Sequence, residues 1–168
     1  FSTPFYVLRE AVRSPKRALL VGVDRYASPA IGDLDGCKND IYRVSNLLQD
    51  RGFEAENIRV LLDERATRDA IVERLEWLLS GTRDGDDRLL YFSGHGVQVP
   101  VYGMDERVDQ LDECFAGHDF SWDAEHLAVR DDDFFDLYAD LPYGARFVAV
   151  LDCCHSGGMA RAGGAKVR

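Results

Sequence analysis

Short uninterrupted apolar runs alternate along the chain with longer segments whose apolar residues recur every three or four positions. Ala18-Leu19-Leu20-Val21-Gly22-Val23 is such a run, the pattern of a strand buried on both faces. Ile41, Val44, Leu47 and Leu48 then repeat at helical spacing, and Gly52 predicts the stop. Ile58 to Leu62 reads as a second strand. Thr67 is placed as an N-cap, with Ile71, Val72, Leu75, Leu78 and Leu79 on one face of the helix it opens and Gly81 closing it. Leu89-Leu90-Tyr91-Phe92 makes a third strand and Phe147-Val148-Ala149-Val150-Leu151 a fourth. Between them, Val97 to Val101 predicts a small hairpin, and the acidic residues that follow read as loop. Asp131 or Asp132 then caps a short helix that carries Phe134, Leu137, Tyr138 and Leu141 and is closed by Pro142.

Strands alternating with helices predict an α/β fold with a mostly parallel sheet and helices on both faces. The pattern divides the chain into a lead-in over residues 1–16, a folded domain over 17–158 and a Gly-rich tail over 159–168. No apolar run approaches the ~18 residues that span a bilayer, which excludes an integral membrane protein of the helical kind. No secretory apolar segment opens the sequence.

Composition narrows the function. The 168 residues suit one domain, and 46% hydrophobic content excludes a mainly disordered chain. The net charge of −10 is local: twelve acids against two bases lie between Asp105 and Asp136, and the remainder is balanced. A nucleic-acid partner needs a cationic surface, and none of any size is present. The acidic stretch would attract cations or a basic substrate instead. Cys37, Cys114, Cys153 and Cys154 include no C-x-x-C pair. They suit a reducing compartment, so a cytoplasmic location is expected.

Ligands of open parallel sheets sit beyond the carboxyl ends of the strands. His95 follows the third strand and Cys153-Cys154 the fourth, so two adjacent strands would bring imidazole and thiol to one rim. A nearby imidazole promotes the thiolate, the reactive form of cysteine. The N–H of Gly96 and that of the nucleophile would stabilise an oxyanion, one such donor being worth roughly 3–4 kcal/mol. Zinc is a rival use of His95, Cys153, Cys154 and His155, although adjacent side chains on an extended segment point apart. No phosphate-loop or dinucleotide motif occurs.

Six segments then carry a resemblance. They are Arg17-Ala-Leu-Leu-Val-Gly-Val-Asp24, Gly36-Cys-Lys-Asn-Asp40, Tyr91-Phe-Ser-Gly-His-Gly96, Asp112-Glu-Cys-Phe115, Asp131-Asp-Asp133 and Leu151-Asp-Cys-Cys-His-Ser-Gly-Gly158. With them the chain resembles the caspase-like cysteine peptidases, within them the metacaspase and bacterial orthocaspase group. The resemblance implies a caspase-like three-layer α/β/α sandwich, with about four of its six strands in this chain. It implies His95 as the catalytic histidine and selects Cys154 over Cys153 as nucleophile, with no third, orienting group.

A pocket for Arg or Lys needs carboxylates, and the resemblance places Asp40 and Asp152 in it, with Ser93 and Cys37 nearby. The reaction is then hydrolysis of peptide bonds after Arg or Lys by a Cys–His dyad that needs no cofactor. Calcium is implied at Asp112, Asp131 and Asp132, oxygen ligands suited to a hard cation; Arg161 stands where the family carries a further acid. The chain matches the large subunit of such an enzyme. Self-processing after Arg168 and a small subunit from the same precursor are therefore expected. A catalytically inactive caspase-like interaction module is the alternative reading.

Overall fold

A computed structural model describes residues 14–100, 111–130 and 132–153. In chain order its elements are β1 (Lys16–Gly22), α1 (Cys37–Asp50), β2 (Ile58–Leu62), α2 (Arg68–Leu79), β3 (Asp87–Ser93), β4 (Gly96–Pro100), β5 (Leu111–Ala116), β6 (Ala128–Arg130), α3 (Asp132–Ala139) and β7 (Arg146–Asp152). Four strands form a parallel sheet in the order β2-β1-β3-β7. Helices cover both faces, as expected of parallel strands joined by crossovers.

Strand alternation sorts the core into two layers. Ala18 and Leu20 turn to one face, where Ile41 and Leu48 of α1 and then Phe53 bury them. Leu19, Val21, Leu90 and Phe92 turn to the other, against Ile71, Leu75, Leu78 and Leu79 of α2. Leu137 and Tyr138 of α3 pack on that second layer. The Thr67 hydroxyl accepts from the Ala70 N–H at 3.3 Å and caps α2 as its sequence predicted.

The acidic stretch departs from its loop expectation. β4 pairs with β5, and β5 with β6, in a separate three-stranded antiparallel sheet. The acids hid a buried set: Cys114, Phe115, Ala116, Ala128 and Val129 all lie in the core. Phe115 packs on Phe92 at 4.4 Å between ring centroids. The segment at Val97 is therefore not one half of a tight local hairpin; its partner strand begins at Leu111.

α1 begins at Cys37, ahead of its periodic apolar residues, and its N-cap position is Gly36, which has no side chain to cap with. Asp24 does the work instead. It accepts from the Cys37 N–H at 2.9 Å and from the Lys38 N–H at 3.3 Å. The terminal strand β7 reads like β1 in sequence, yet all of it but Phe147 is exposed. No described helix is long and apolar enough to cross a membrane.

Candidate active site

The carboxyl ends of three strands form one rim. Gly22 of β1 stands opposite Ser93 of β3, and Ser93 opposite Asp152 of β7. Alternation puts Ser93 and Asp152 on the face that α1 covers. The first turn of α1 lies close over Gly22, where a Cβ would fall 2.6 Å from Ile41 Cγ1 and 3.3 Å from the Cys37 carbonyl oxygen. A residue with a side chain would lift Cys37 and Asp40 off the rim.

Four of the predicted pocket residues thus gather here: Cys37, Asp40, Ser93 and Asp152. Burial pushes the Cys37 thiol up to about 11, with the Ser93 hydrogen bond opposing and the charges of Asp24 and Asp40 assisting. The thiol stays neutral near pH 7, a small lining group rather than a nucleophile. Because Asp24 caps α1, the Asp40 carboxylate is free of that duty. Its described ion pair is the exposed contact to Arg43 at 3.8 Å.

Tyr91 joins the group, a residue that the sequence reading put in a strand and in a resemblance segment but gave no role. Its hydroxyl donates to Asp152 Oδ2 at 3.0 Å. Burial pushes that hydroxyl up to about 12, and the Asp152 hydrogen bond adds to the shift. The signal was present in the alternation, which places residue 91 on the same face as Ser93.

His95 leaves the rim just beyond Ser93. Its backbone N–H donates to Tyr26 Oη at 2.8 Å, and the two rings lie 5.0 Å apart at 45°. Its Nε2 lies 2.7 Å from the Gly32 carbonyl oxygen. A carbonyl only accepts, so Nε2 carries the hydrogen and Nδ1 of the neutral ring is left as the acceptor. Gly94 permits this placement: a Cβ there would sit 2.7 Å from Phe92 Cζ and 3.0 Å from Tyr26 Oη. Burial holds the Tyr26 hydroxyl well above the ordinary tyrosine range, so it stays protonated. Gly96 heads β4, buried, in register with Phe115.

Tyr26 and Gly32 were not foreseen. The orienting partner of His95 is a main-chain carbonyl, which no residue type announces. Both residues lie in the loop between β1 and α1. That loop is fastened at its root by Asp63, which accepts from the N–H groups of Asp24 and Arg25 at 2.8 and 3.0 Å and from Lys38 Nζ at 2.6 Å. Burial disfavours the charge on Asp63, but Lys38 and the two N–H donors outweigh it and hold its carboxyl below the usual range.

The strand carrying the pocket also approaches the histidine segment. The Gly94 N–H donates to the Asp152 carbonyl at 3.4 Å, so the chains that continue to His95 and to Cys153 leave the sheet side by side. Cys153 packs against the core layer that contains Tyr26 and Phe92. Cys154 lies outside the described residues, as do His155, Asp131 and Arg168. Asp112 lies in β5 and Asp132 opens α3. Asp112 pairs with Val99 of β4, and the β5–β6 pairing ends at Cys114 and Arg130. Among the described residues, no group of three or more His, Cys, Asp or Glu side chains is arranged to hold a metal ion.

Comparison with known proteins agrees with this fold. The family model described as metacaspase, peptidase C14 domain matches residues 16–162. Metacaspase-3 of Trypanosoma cruzi is 35% identical over 152 residues, covering 85% of this chain and 40% of that protein. Metacaspase-7 of Arabidopsis thaliana is 36% identical over 150 residues, covering 86% of this chain and 35% of that protein. The chain thus spans well under half the length of these relatives. A crystal structure of a Geobacter sulfurreducens protein superposes with a TM-score of 0.69 at 28% identity, covering 84% of this chain and 51% of that one.

Proposed function

The chain belongs to the metacaspase family of cysteine peptidases, and on that premise we propose that it carries the catalytic dyad and the primary specificity pocket of an endopeptidase cutting after Arg or Lys. In this reading Cys154 is the nucleophile. His95 Nδ1 takes the thiol proton, and the thiolate attacks the carbonyl carbon of the scissile bond. The resulting imidazolium is steadied by the Gly32 carbonyl, which goes on accepting from Nε2. His95 then gives its proton to the departing amine, leaving a thioester. A water molecule, deprotonated by His95, cleaves that thioester and restores the thiol. The N–H groups of Gly96 and Cys154 hold the oxyanion in both steps.

Substrate choice falls to the acidic end of the rim. Asp40 and Asp152 face an incoming guanidinium or ammonium, while Ser93 and the neutral Cys37 thiol line the walls. The observation that carries the reading is the shared strand end. Asp152 presents its carboxylate beside Ser93, its carbonyl is bonded to Gly94, and Cys154 follows two residues later. In this reading the pocket carboxylate and the base sit at adjacent strand ends, and the nucleophile follows the first of them in sequence.

The small subunit from the same precursor would add its strands at the exposed β7, and Arg168 would be the residue after which the precursor cuts itself. The calcium reading keeps Asp112, Asp131 and Asp132 as ligands; the steps above need no ion.

The test is a pair of variants of the precursor. Cys154→Ala is expected to abolish cleavage of an arginyl peptide and to leave the precursor intact at Arg168 by mass spectrometry. Cys153→Ala is expected to retain most of both activities. Equal activity in the two variants, or silence of the wild type toward every basic peptide, would overturn the reading.

A further inference from the structure

Resting on the basic-residue reading above, we propose that Tyr91 is a specificity-determining residue of the same pocket, tuning it toward arginine over lysine. Tyr91 stands on β3 opposite Leu20 of β1 and Val150 of β7. Its ring packs on the apolar layer formed with Ala18, Leu20 and Ile41, which fixes the direction of the hydroxyl. That hydroxyl donates to Asp152 Oδ2 at 3.0 Å. Asp152 itself is exposed, so without the phenol its carboxylate would turn among several rotamers.

A hydroxyl has one hydrogen and two lone pairs. The hydrogen is committed to Oδ2, which leaves Oδ1 and the second lone pair of Oδ2 for the substrate. The phenol oxygen keeps its own lone pairs near the charges of Asp152 and Asp40, both close enough to raise its pKa. Its shift to about 12, caused first by burial, means that it remains a donor throughout the working pH range.

The chemistry of the two basic side chains converts this orientation into preference. Guanidinium presents a rigid planar fork that needs two coplanar acceptors, whereas an ammonium is a point charge that accepts almost any arrangement. A carboxylate held in one plane therefore favours arginine more than lysine. Releasing that plane costs arginine most.

The experiment compares the precursor enzyme and its Tyr91→Phe variant on matched arginyl and lysyl peptide amides. Phenylalanine keeps the ring and removes only the hydroxyl. For the arginyl substrate KM is expected to rise about fivefold, the worth of one hydrogen bond, with kcat changed less than twofold. For the lysyl substrate KM moves less than twofold. Placed in an Asp152→Asn background, the same change is expected to have no further effect on the Arg-to-Lys ratio, because the target of the hydroxyl is already altered. An unchanged ratio in Tyr91→Phe overturns the inference, as does a parallel fall of kcat on both substrates, the mark of a purely structural tyrosine. Such a result with a wild type that still prefers arginine leaves the basic-residue reading standing. A wild type that cuts neither substrate overturns both.

Discussion

At the scale of single residues, the rim works because of what is missing from it. Gly94 has no Cβ, and the space a Cβ would take is bounded by the Phe92 ring and the Tyr26 hydroxyl. The first is a buried aromatic with no room to yield. The second holds the His95 backbone. Gly94→Ala should therefore displace His95 rather than relax elsewhere. Misplacement of a catalytic group by about 1 Å costs on the order of 10²-fold in rate, so kcat is expected to fall by about that factor. KM should move less, because the carboxylates of the proposed pocket, Asp40 and Asp152, are not among the atoms that the added Cβ would meet. Steady-state kinetics on an arginyl peptide check this, and full kcat in the variant would mean that the histidine is not held as described. Legibility at this scale was uneven. His95 was nameable because an imidazole at a strand end matches a chemistry, and Asp40, Asp152 and Ser93 because the resemblance points to them. Gly32 was not, since its contribution is a carbonyl common to every residue, and Tyr26 was not, since its hydroxyl serves a backbone N–H across the loop.

At the scale of elements, the proposed mechanism depends on how the β1–α1 loop is fastened. Asp63 does this from a left-handed conformation, φ 43°, which Asn adopts as readily as Asp. Asp63→Asn therefore removes the charge without straining the backbone. The carboxylate is buried, and losing a charged acceptor at such a site costs roughly 1.5–3 kcal/mol. The sign with pH follows from its depressed folded pKa. Its contribution is present above the ordinary carboxylate value of 3.8 and is lost as pH falls through the lower folded value. Urea unfolding is thus expected to show the variant less stable at pH 7, with the gap closing below about pH 3.8. A gap that persists into strong acid would show that the loop is held by something other than this charge. Helix and strand positions were largely legible here, because periodicity reports burial directly. The β4–β6 sheet was hidden because its apolar residues are few and set among acids, so charge dominated the pattern. Capping of α1 by Asp24 was hidden for another reason: the two lie thirteen residues apart and meet only through the fold.

At the scale of the molecule, β7 is where sequence and structure part. Its five apolar residues in a row predict burial on both faces. In the structure Val148, Val150 and Leu151 are 49%, 41% and 46% exposed. β1, with the same kind of sequence but a strand on either side, is fully buried from Ala18 to Val21. The difference is neighbours. β3 pairs one edge of β7, and no described strand pairs the other. Between α3 and β7 an apolar cavity of about 540 Å³, lined by Tyr138, Leu141, Pro142, Phe147 and Ala149, adds further apolar surface at this margin. An apolar edge of this kind is a liability unless something covers it, and the proposed small subunit of the precursor would do so. Val148 and Val150 are one strand-period apart and project to the same side, so a covering strand would bury both. Replacing both with Ser in the precursor then removes apolar contacts at two sites. The expected loss is roughly 1–2 kcal/mol, since each valine is already half buried and full burial is worth ~1.5–3 kcal/mol. Two exposed surface positions would instead stay within about 0.5 kcal/mol each of the wild type. Urea unfolding of the precursor distinguishes these outcomes. A double variant as stable as the parent would mean that β7 is a true outer edge, with its apolar face left to water.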